Sequence, residues 1–492
     1  MKKTIVLFIA MALGGALLAQ NLNVQFGNST KKLKGNLLAG LPTISYIGEK
    51  GDLVYLVTSN NLNTKQTLQT YTHDMELKGE QKIDYSLGKS TFCGGYVNGN
   101  NVDLLRADNE KDGMHFLHIQ YDANTLNKIK EEEILHINQE SRREGVAFVM
   151  EESQSTEWLG IVYLDNPKNA SRLNTVVYGN DMKPLWSMSS APIDIADIFL
   201  SDSAEIVMGS YELPQSPTGM TKVRFVVMDG ENEAVYDGQM KSGQMDGFEV
   251  VRYQDGKIYC VGALEGEAQN KRNNWRTGFY TFVYNTKTSQ VEHYEEYKLT
   301  QKDINLIKND KIDNKDKKLS IESLQWSGSR YDADGVTVLY DRHWDVYVRQ
   351  SNGFTEYSTT EHTGMMLLRI DNAGHFQKHT AIRHVFALPD LKERVSKPQL
   401  LHVGDKDYIL TYETEKNLNK KDGSTHSDNV LMRSHFNLYF IGVDANGAIS
   451  YELAGAPEKG FLMGRPHLRK DGSYMLNVIS LKESAMGILR TK

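Results

Sequence analysis

Apolar runs of strand length, separated by clusters of Asp, Asn, Gly and Lys, recur along nearly the whole chain. Runs of that length bounded by turn residues read as β-strands, and close pairs of them read as hairpins. One turn keeps returning: His73-Asp74-Met75, Asp122-Ala123-Asn124, Gly179-Asn180-Asp181, Asp229-Gly230-Glu231, Asn285-Thr286-Lys287, Asp371-Asn372-Ala373-Gly374 and Asp444-Ala445-Asn446-Gly447. A hairpin at a coarse period signals a repeat architecture. Each turn closes the second hairpin of a larger unit. The first unit predicts strands at 43–47, 53–57, 66–72 and 81–87, the second at 91–97, 102–106, 115–121 and 127–135. Second strands such as Val54-Tyr55-Leu56-Val57 and Ile258-Tyr259-Cys260-Val261 are almost continuously apolar, as strands covered on both faces must be. Fourth strands, such as 80–85 and 290–298, alternate polar and apolar residues, the pattern of a half-exposed strand.

Four antiparallel strands per unit, stacked around an axis, describe an all-β chain folded as a single β-propeller. The seven turns give seven complete units. Three strands remain beyond them, at 465–468, 474–480 and 485–490, and the N-terminal side offers one unpaired strand at 21–26. Together they make an eighth blade that joins the two ends and leaves no free sheet edge. The alternative is seven blades, with the last three strands packed differently. No Pro/Gly/Ser linker divides the chain, and its ten prolines are sparse. One domain over 21–492 is therefore expected, because large all-β folds exceed the usual domain length.

The first residues change the picture of where this domain resides. Lys2 and Lys3 precede an apolar stretch at 4–18 and then Ala19-Gln20, the layout of a secretory signal peptide over 1–19. The stretch is short for a membrane span, which needs roughly 20 apolar residues. An exported chain, periplasmic, surface-associated or secreted, is expected. Without Lys2 and Lys3 there are 56 − 2 = 54 basic residues against 63 acidic ones. That balance argues against a nucleic-acid partner, which would want a basic face. Cys93 and Cys260 fall on strands three units apart, too far for a disulfide, so two buried free thiols are expected.

The spacing of the turns is uneven: 48 to 58 residues through the first five, then 86 and 73. The extra length predicts long loops at 265–276, 341–363 and 414–434 within units five to seven, and at 300–318 and 388–397 between units. In a propeller these connections open on one face, so one sector of that face is built up. Loops on a rigid scaffold are where binding sites concentrate. Thr300-Gln301-Lys302-Asp303 loosely matches a capping box and predicts a short helix with Ile304 and Ile307 on one side.

The densest chemistry in that sector is Asp341-Arg342-His343-Trp344-Asp345. On an extended segment His343 and Asp345 point the same way, roughly 6–7 Å apart. They could share a ligand or metal, with Arg342 holding a carboxylate and Trp344 stacking on a sugar or peptide. Tyr347, Tyr357 and His362 follow, and Trp275-Arg276 occupies the equivalent place in unit five. The plainer alternative is that these aromatics pin down a long loop. No metal site is expected. His375, His379 and His384 would lie about 13 Å apart for each four-residue step of a strand, so they read as surface histidines of an outer strand. Asp332-Ala333-Asp334-Gly335 lacks the remaining ligands of a calcium loop and reads as a β-turn.

Catalytic signatures are missing from the sequence. Trp326-Ser327-Gly328-Ser329-Arg330 is not a G-x-S-x-G elbow, and neither sialidase-type Asp boxes nor repeated Trp-Asp pairs occur. Units six and seven run Val336-Thr337-Val338-Leu339-Tyr340, an aromatic-rich insertion to Thr363, Met366-Leu367-Leu368-Arg369-Ile370-Asp371-Asn372-Ala373-Gly374, then 401–412. This order, with the Leu18-Ala19-Gln20 junction, resembles a group of uncharacterised exported β-propeller-like proteins of Gram-negative bacteria. The resemblance implies fold and compartment and carries no catalytic residues. The sequence therefore points to a binding or scaffold module for a protein or glycan partner, without a cofactor. A glycan hydrolase or lyase acting at the central mouth is the alternative.

Overall fold

The computed structural model describes residues 22–26 and 44–491, except 60–65, 75, 85–88, 139–146, 165–171, 192, 215–218, 241–244, 266–274, 309–318, 350–354, 390–397, 404–405, 415–435, 445, 454–459, 463–465, 470–472 and 481–483. The expected signal peptide lies outside the described residues. Among those residues no helix is long and apolar enough to cross a membrane.

Eight antiparallel sheets follow one another along the chain. Blades one to seven comprise residues 44–83, 90–138, 148–190, 197–240, 245–298, 324–389 and 399–453, each with its four strands in chain order. The eighth combines both ends of the chain. Leu22–Phe26 pairs with Ser484–Thr491, which pairs with Tyr474–Ser480. The innermost strand of that blade is split into Gly460–Leu462 and His467–Leu468, both on Tyr474–Ser480. Pro466 stands just before the second piece. Proline has no N–H to give to a ladder. The fold is thus an eight-bladed propeller closed by its N-terminal strand.

Apolar clusters join blade one to two, two to three, three to four, four to five, five to six, and six to seven. Val54, Leu56 and Tyr71 of blade one meet Met475 of blade eight, and Arg469 clasps the Glu49 carboxylate there with bonds of 2.8 and 2.6 Å. Tyr474 of blade eight donates its hydroxyl to the His402 carbonyl of blade seven, 3.2 Å away. Every blade therefore touches the next. This is why the second strands are apolar throughout: Lys257–Glu265 is exposed only at its last residue, since blades cover both of its faces.

Most of the repeated turns share one physical basis. The side-chain oxygen of the Asp or Asn accepts backbone N–H groups two to four residues on, as Asp122 does from Asn124 and Thr125, Asp229 from Glu231 and Asn232, Asp371 from Ala373 and His375, and Asp444 from Asn446 and Ala448; in the first turn Thr72 Oγ1 accepts the Glu76 N–H instead. Such Asx turns close a hairpin without help from neighbours. Asp332 likewise accepts from Asp334 and Gly335, forming the expected β-turn.

The first and second strands, and the third and fourth, are joined by hairpins on one face of the ring; the other face carries the remaining connections. On the hairpin face the axis is bridged. Gln154 of blade three exchanges two hydrogen bonds, of 2.8 and 3.1 Å, with the Tyr331 backbone of blade six. The Tyr331 hydroxyl donates to Asp202 of blade four, and Arg252 of blade five lies over its ring at 5.7 Å. Arg330 reaches the Tyr474 hydroxyl of blade eight. Blades that are not neighbours thus meet through the ends of their first strands, which fixes those strands as innermost.

Cys93 is half-buried and Cys260 buried, and both are free thiols. Burial pushes the Cys93 thiol up to about 11 and Cys260 well above its ordinary value.

Candidate functional site

The face opposite the bridged hairpins carries the built-up sector, and its form differs from the expected loops. Residues 341–363 are mostly strand. The second strand of blade six runs from Gly335 to Arg349 and the third from Thr355 to Asp371, paired out to Arg349 opposite Thr355. The fourth strand, Phe376–Pro389, follows the third as far as Thr359. The fifteen-residue second strand exceeds the nine-residue one of blade five by six residues, so a three-stranded arm projects about 20 Å further. The first strand, Leu324–Asp332, pairs with the second only up to Arg342. Beyond His343, whose N–H bonds the Ser323 carbonyl, the axis-side edge of the arm carries no strand among the described residues.

The arm is braced from the blade-five side. The helix Gln301–Ile307 begins at a capping box: Thr300 Oγ1 accepts the Asp303 N–H, and Asp303 accepts the Thr300 N–H at 2.8 Å. Ile304 and Ile307 are fully buried in the cluster between blades five and six. The helix sits so close that a Cβ on Gly364 would lie 2.6 Å from the Ile307 Cα. Ile321–Glu322 then pairs with Trp275 and Arg276, adding a fifth strand to blade five. The other long connections, at 266–274, 390–397 and 415–435, lie outside the described residues.

Several expected binding residues hold the arm's base together. Arg342 is buried. Its guanidinium donates to the Glu322 carbonyl and carboxylate, both at 3.1 Å, and to Thr363 Oγ1 at 2.9 Å, and lies over the Trp344 ring at 4.7 Å. It is therefore a clamp between the arm and the added strand. Arg276 is also buried, and loss of water lowers its pKa; the strand Ile321–Glu322 alongside it explains why it is not presented. Trp275 is half-buried with Lys308 Nζ 5.8 Å from its ring. For Asp345, Tyr347 and Tyr357 the structure gives strand positions: Asp345 opposite Thr360, Tyr347 opposite Ser358, and Tyr357 opposite Val348.

His343 finds partners that the sequence reading did not pair with it. A register shift falls between Arg342 and His343 on one strand and between His362 and Gly364 on the next pair. The extra residue, Thr363, is a β-bulge, a device that re-aims side chains. It brings His362 opposite His343, and Asp341 lies two residues before His343 on the same strand face. His362 Nδ1 is 2.6 Å from Asp341 Oδ2, and His343 Nδ1 is 3.0 Å from the same oxygen but off hydrogen-bond alignment. All three are buried, with exposures of 0% for Asp341, 1% for His362 and 7% for His343. Burial alone would raise the Asp341 carboxyl, but the two imidazoles override it and hold it well below the usual carboxylate range. His384, expected at the surface, is buried and stacks on Tyr439 of blade seven, because its strand climbs the arm on the covered side. His375 is exposed beside His293 and Glu295 of blade five.

A second polar pair lies nearer the axis. Asp197 and Glu249 occupy the innermost strands of blades four and five and interact electrostatically. The Val250 N–H also donates to Asp197 Oδ2 at 2.6 Å. Burial, then the Glu249 charge, push the Asp197 carboxyl up to about 8, and burial raises Glu249. Convergence of strands from two blades made this pair invisible along the chain.

No family model matches the chain, and no curated protein matches it in sequence. Among solved structures it is similar to the β-propeller domain of the Trilobed protease from Pyrococcus furiosus, which has an open velcro topology, at 12% identity over 84% of this chain and 96% of that one, with a TM-score of 0.37. It is also similar to the N-terminal domain of Nup159, at 8% identity over 96% of both chains and a TM-score of 0.33. A third is the polysaccharide lyase Uly1, at 11% identity over 84% and 92% and a TM-score of 0.34. No residue role is carried over from any of them.

Proposed function

We propose that this chain is an exported propeller acting as a binding or scaffold module for a protein or glycan partner. The partner engages blades five to seven on the face opposite the bridged hairpins. The signal-peptide pattern at 1–19 and the resemblance to exported propellers of Gram-negative bacteria support the compartment. One observation carries the binding reading: the three-stranded arm of blade six, clamped at its base by Arg342 and the helix Gln301–Ile307. A projecting strand with an unpaired edge is a template for strand addition by a partner. The axis-side edge beyond His343, which carries no strand among the described residues, offers that template, with Trp344 and Tyr347 at positions on that strand and Tyr357 on the next.

The test is capture from a native envelope extract, run beside a glycan array, with the wild type and a Trp344→Ala/Tyr357→Ala double variant. We expect capture by the wild type and at least ~10-fold weaker capture by the variant, about 1.4 kcal/mol. Undiminished capture by the variant overturns the assignment to the arm. Cleavage of an array glycan, abolished by Asp197→Asn, would favour the hydrolase or lyase reading instead.

A further inference from the structure

We propose that Asp341, His343 and His362 form a binding site for a zinc-class divalent cation that clips together the second and third strands of the blade-six arm. The inference is independent of any partner and departs from the sequence expectation of no metal. It rests on donor type, spacing and an unsatisfied atom.

One ligand atom from each residue lies within 4.8 Å of the others. Donors bound at about 2.0–2.1 Å on a tetrahedral ion lie roughly 3.3 Å from each other. The observed 2.6 and 3.0 Å between Asp341 Oδ2 and the two Nδ1 atoms are a few tenths short of that, so a small outward movement suffices. The two imidazole centroids are 5.3 Å apart, close to the roughly 5 Å expected for two rings sharing one tetrahedral ion. Two nitrogens and one carboxylate suit zinc-class ions, whereas calcium and magnesium prefer all-oxygen shells.

The unsatisfied atom is Asp341 Oδ1. It is buried and accepts no hydrogen bond, and an orphan carboxylate oxygen away from water is costly. His343 Nδ1, 3.0 Å from the other carboxylate oxygen, is likewise misaligned for a hydrogen bond. A cation at the centroid would satisfy that nitrogen and neutralise the carboxylate. The bulge at Thr363 supports a built site: without it His362 would face Trp344 across the ladder and not His343. Three protein donors leave one position for water or a ligand atom.

The test uses the full chain stripped with EDTA, titrated by calorimetry with zinc chloride and, separately, magnesium chloride. Two other groups of His and acidic residues, Asp112–His115–His136 and His293–Glu295–His375, include exposed members and serve as controls. We expect one tight zinc equivalent that survives His115→Ala and His375→Ala and is lost in His343→Gln/His362→Gln. Removing direct ligands should exceed the ~10–100-fold loss typical of a residue behind the ligands. Magnesium should give no tight binding. Because the double variant empties a buried site, zinc-edge X-ray absorption on the loaded wild type gives a second readout, expected to show two imidazoles on the ion. A tight equivalent that survives the double variant, its loss in either control, or an ion bound by oxygen alone would each overturn the proposal.

Discussion

Replacing Asp197 with Asn should make the protein less sensitive to alkaline pH. In the native state burial and the Glu249 charge push the Asp197 carboxyl up to about 8, against 3.8 ordinarily. Between those values the folded chain holds a proton that the unfolded chain has lost. Stability therefore falls as pH rises, by about 1.36 kcal/mol per pH unit. It is fully present below about 4, and the loss is complete above about 8. Over the whole window the ceiling is on the order of 5 kcal/mol; water reaching a half-buried pair cuts this, and a loss of at least ~2 kcal/mol between pH 5 and 9 is expected. The Asn side chain keeps an oxygen for the Val250 N–H and an amide for Glu249, so shape is preserved; the Asp197 titration is removed, while burial still raises Glu249. The assay is the urea midpoint of wild type and Asp197→Asn across pH 5 to 9, read by tryptophan fluorescence. The difference between the two should grow with pH in favour of the variant up to about pH 8 and then level off. Parallel curves would refute the reasoning, because they would mean that Asp197 is ionised in the native state like any surface carboxylate.

Two further outcomes follow from the hairpin face. Tyr331→Phe removes the hydroxyl given to Asp202 while keeping the ring under Arg252; it should cost about 1–2 kcal/mol in chemical denaturation, and proteolysis should show faster cutting near the 153–158 and 201–205 hairpins. Asp371→Ala deletes an acceptor of the Ala373 and His375 N–H groups and the Gln377 amide and should cost about 1–2 kcal/mol at pH 7. Burial would raise the Asp371 carboxyl, but these bonds outweigh it and lower its pKa, so its contribution is present above about pH 4 and lost as pH falls further. The deficit of the variant should accordingly shrink on acidification, which denaturation midpoints at pH 7 and pH 3 would check.

The repeat, the blade number and the closing strand were legible because each depends on local chemistry. An Asx turn is written by one side chain and the next few amides, so Asp122 or Asp444 marks its hairpin wherever the chain goes. The site was only half legible. Its residues were found, since Arg342, His343 and Trp344 are conspicuous, but their partners were not, because pairing in a sheet is set by register and one residue of slip reverses every face. A register signal existed. Ser351-Asn352-Gly353 lies midway between His343 and His362, and Asn-Gly between strand-like runs is a strong hairpin signal. Folding the segment back at that turn places His343 directly opposite His362, and the bulge at Thr363 absorbs the one-residue shift from that register to the arm's base, where Arg342 faces Gly364. The pair Asp197 and Glu249 had no such signal. Fifty-two positions separate them, and only the closure of the ring sets blade four against blade five so that the Glu249 charge adds to burial in raising the Asp197 pKa. Chemistry held within one hairpin can therefore be sought in a sequence of this kind by centring on its turns, whereas chemistry between blades appears only once the ring is built.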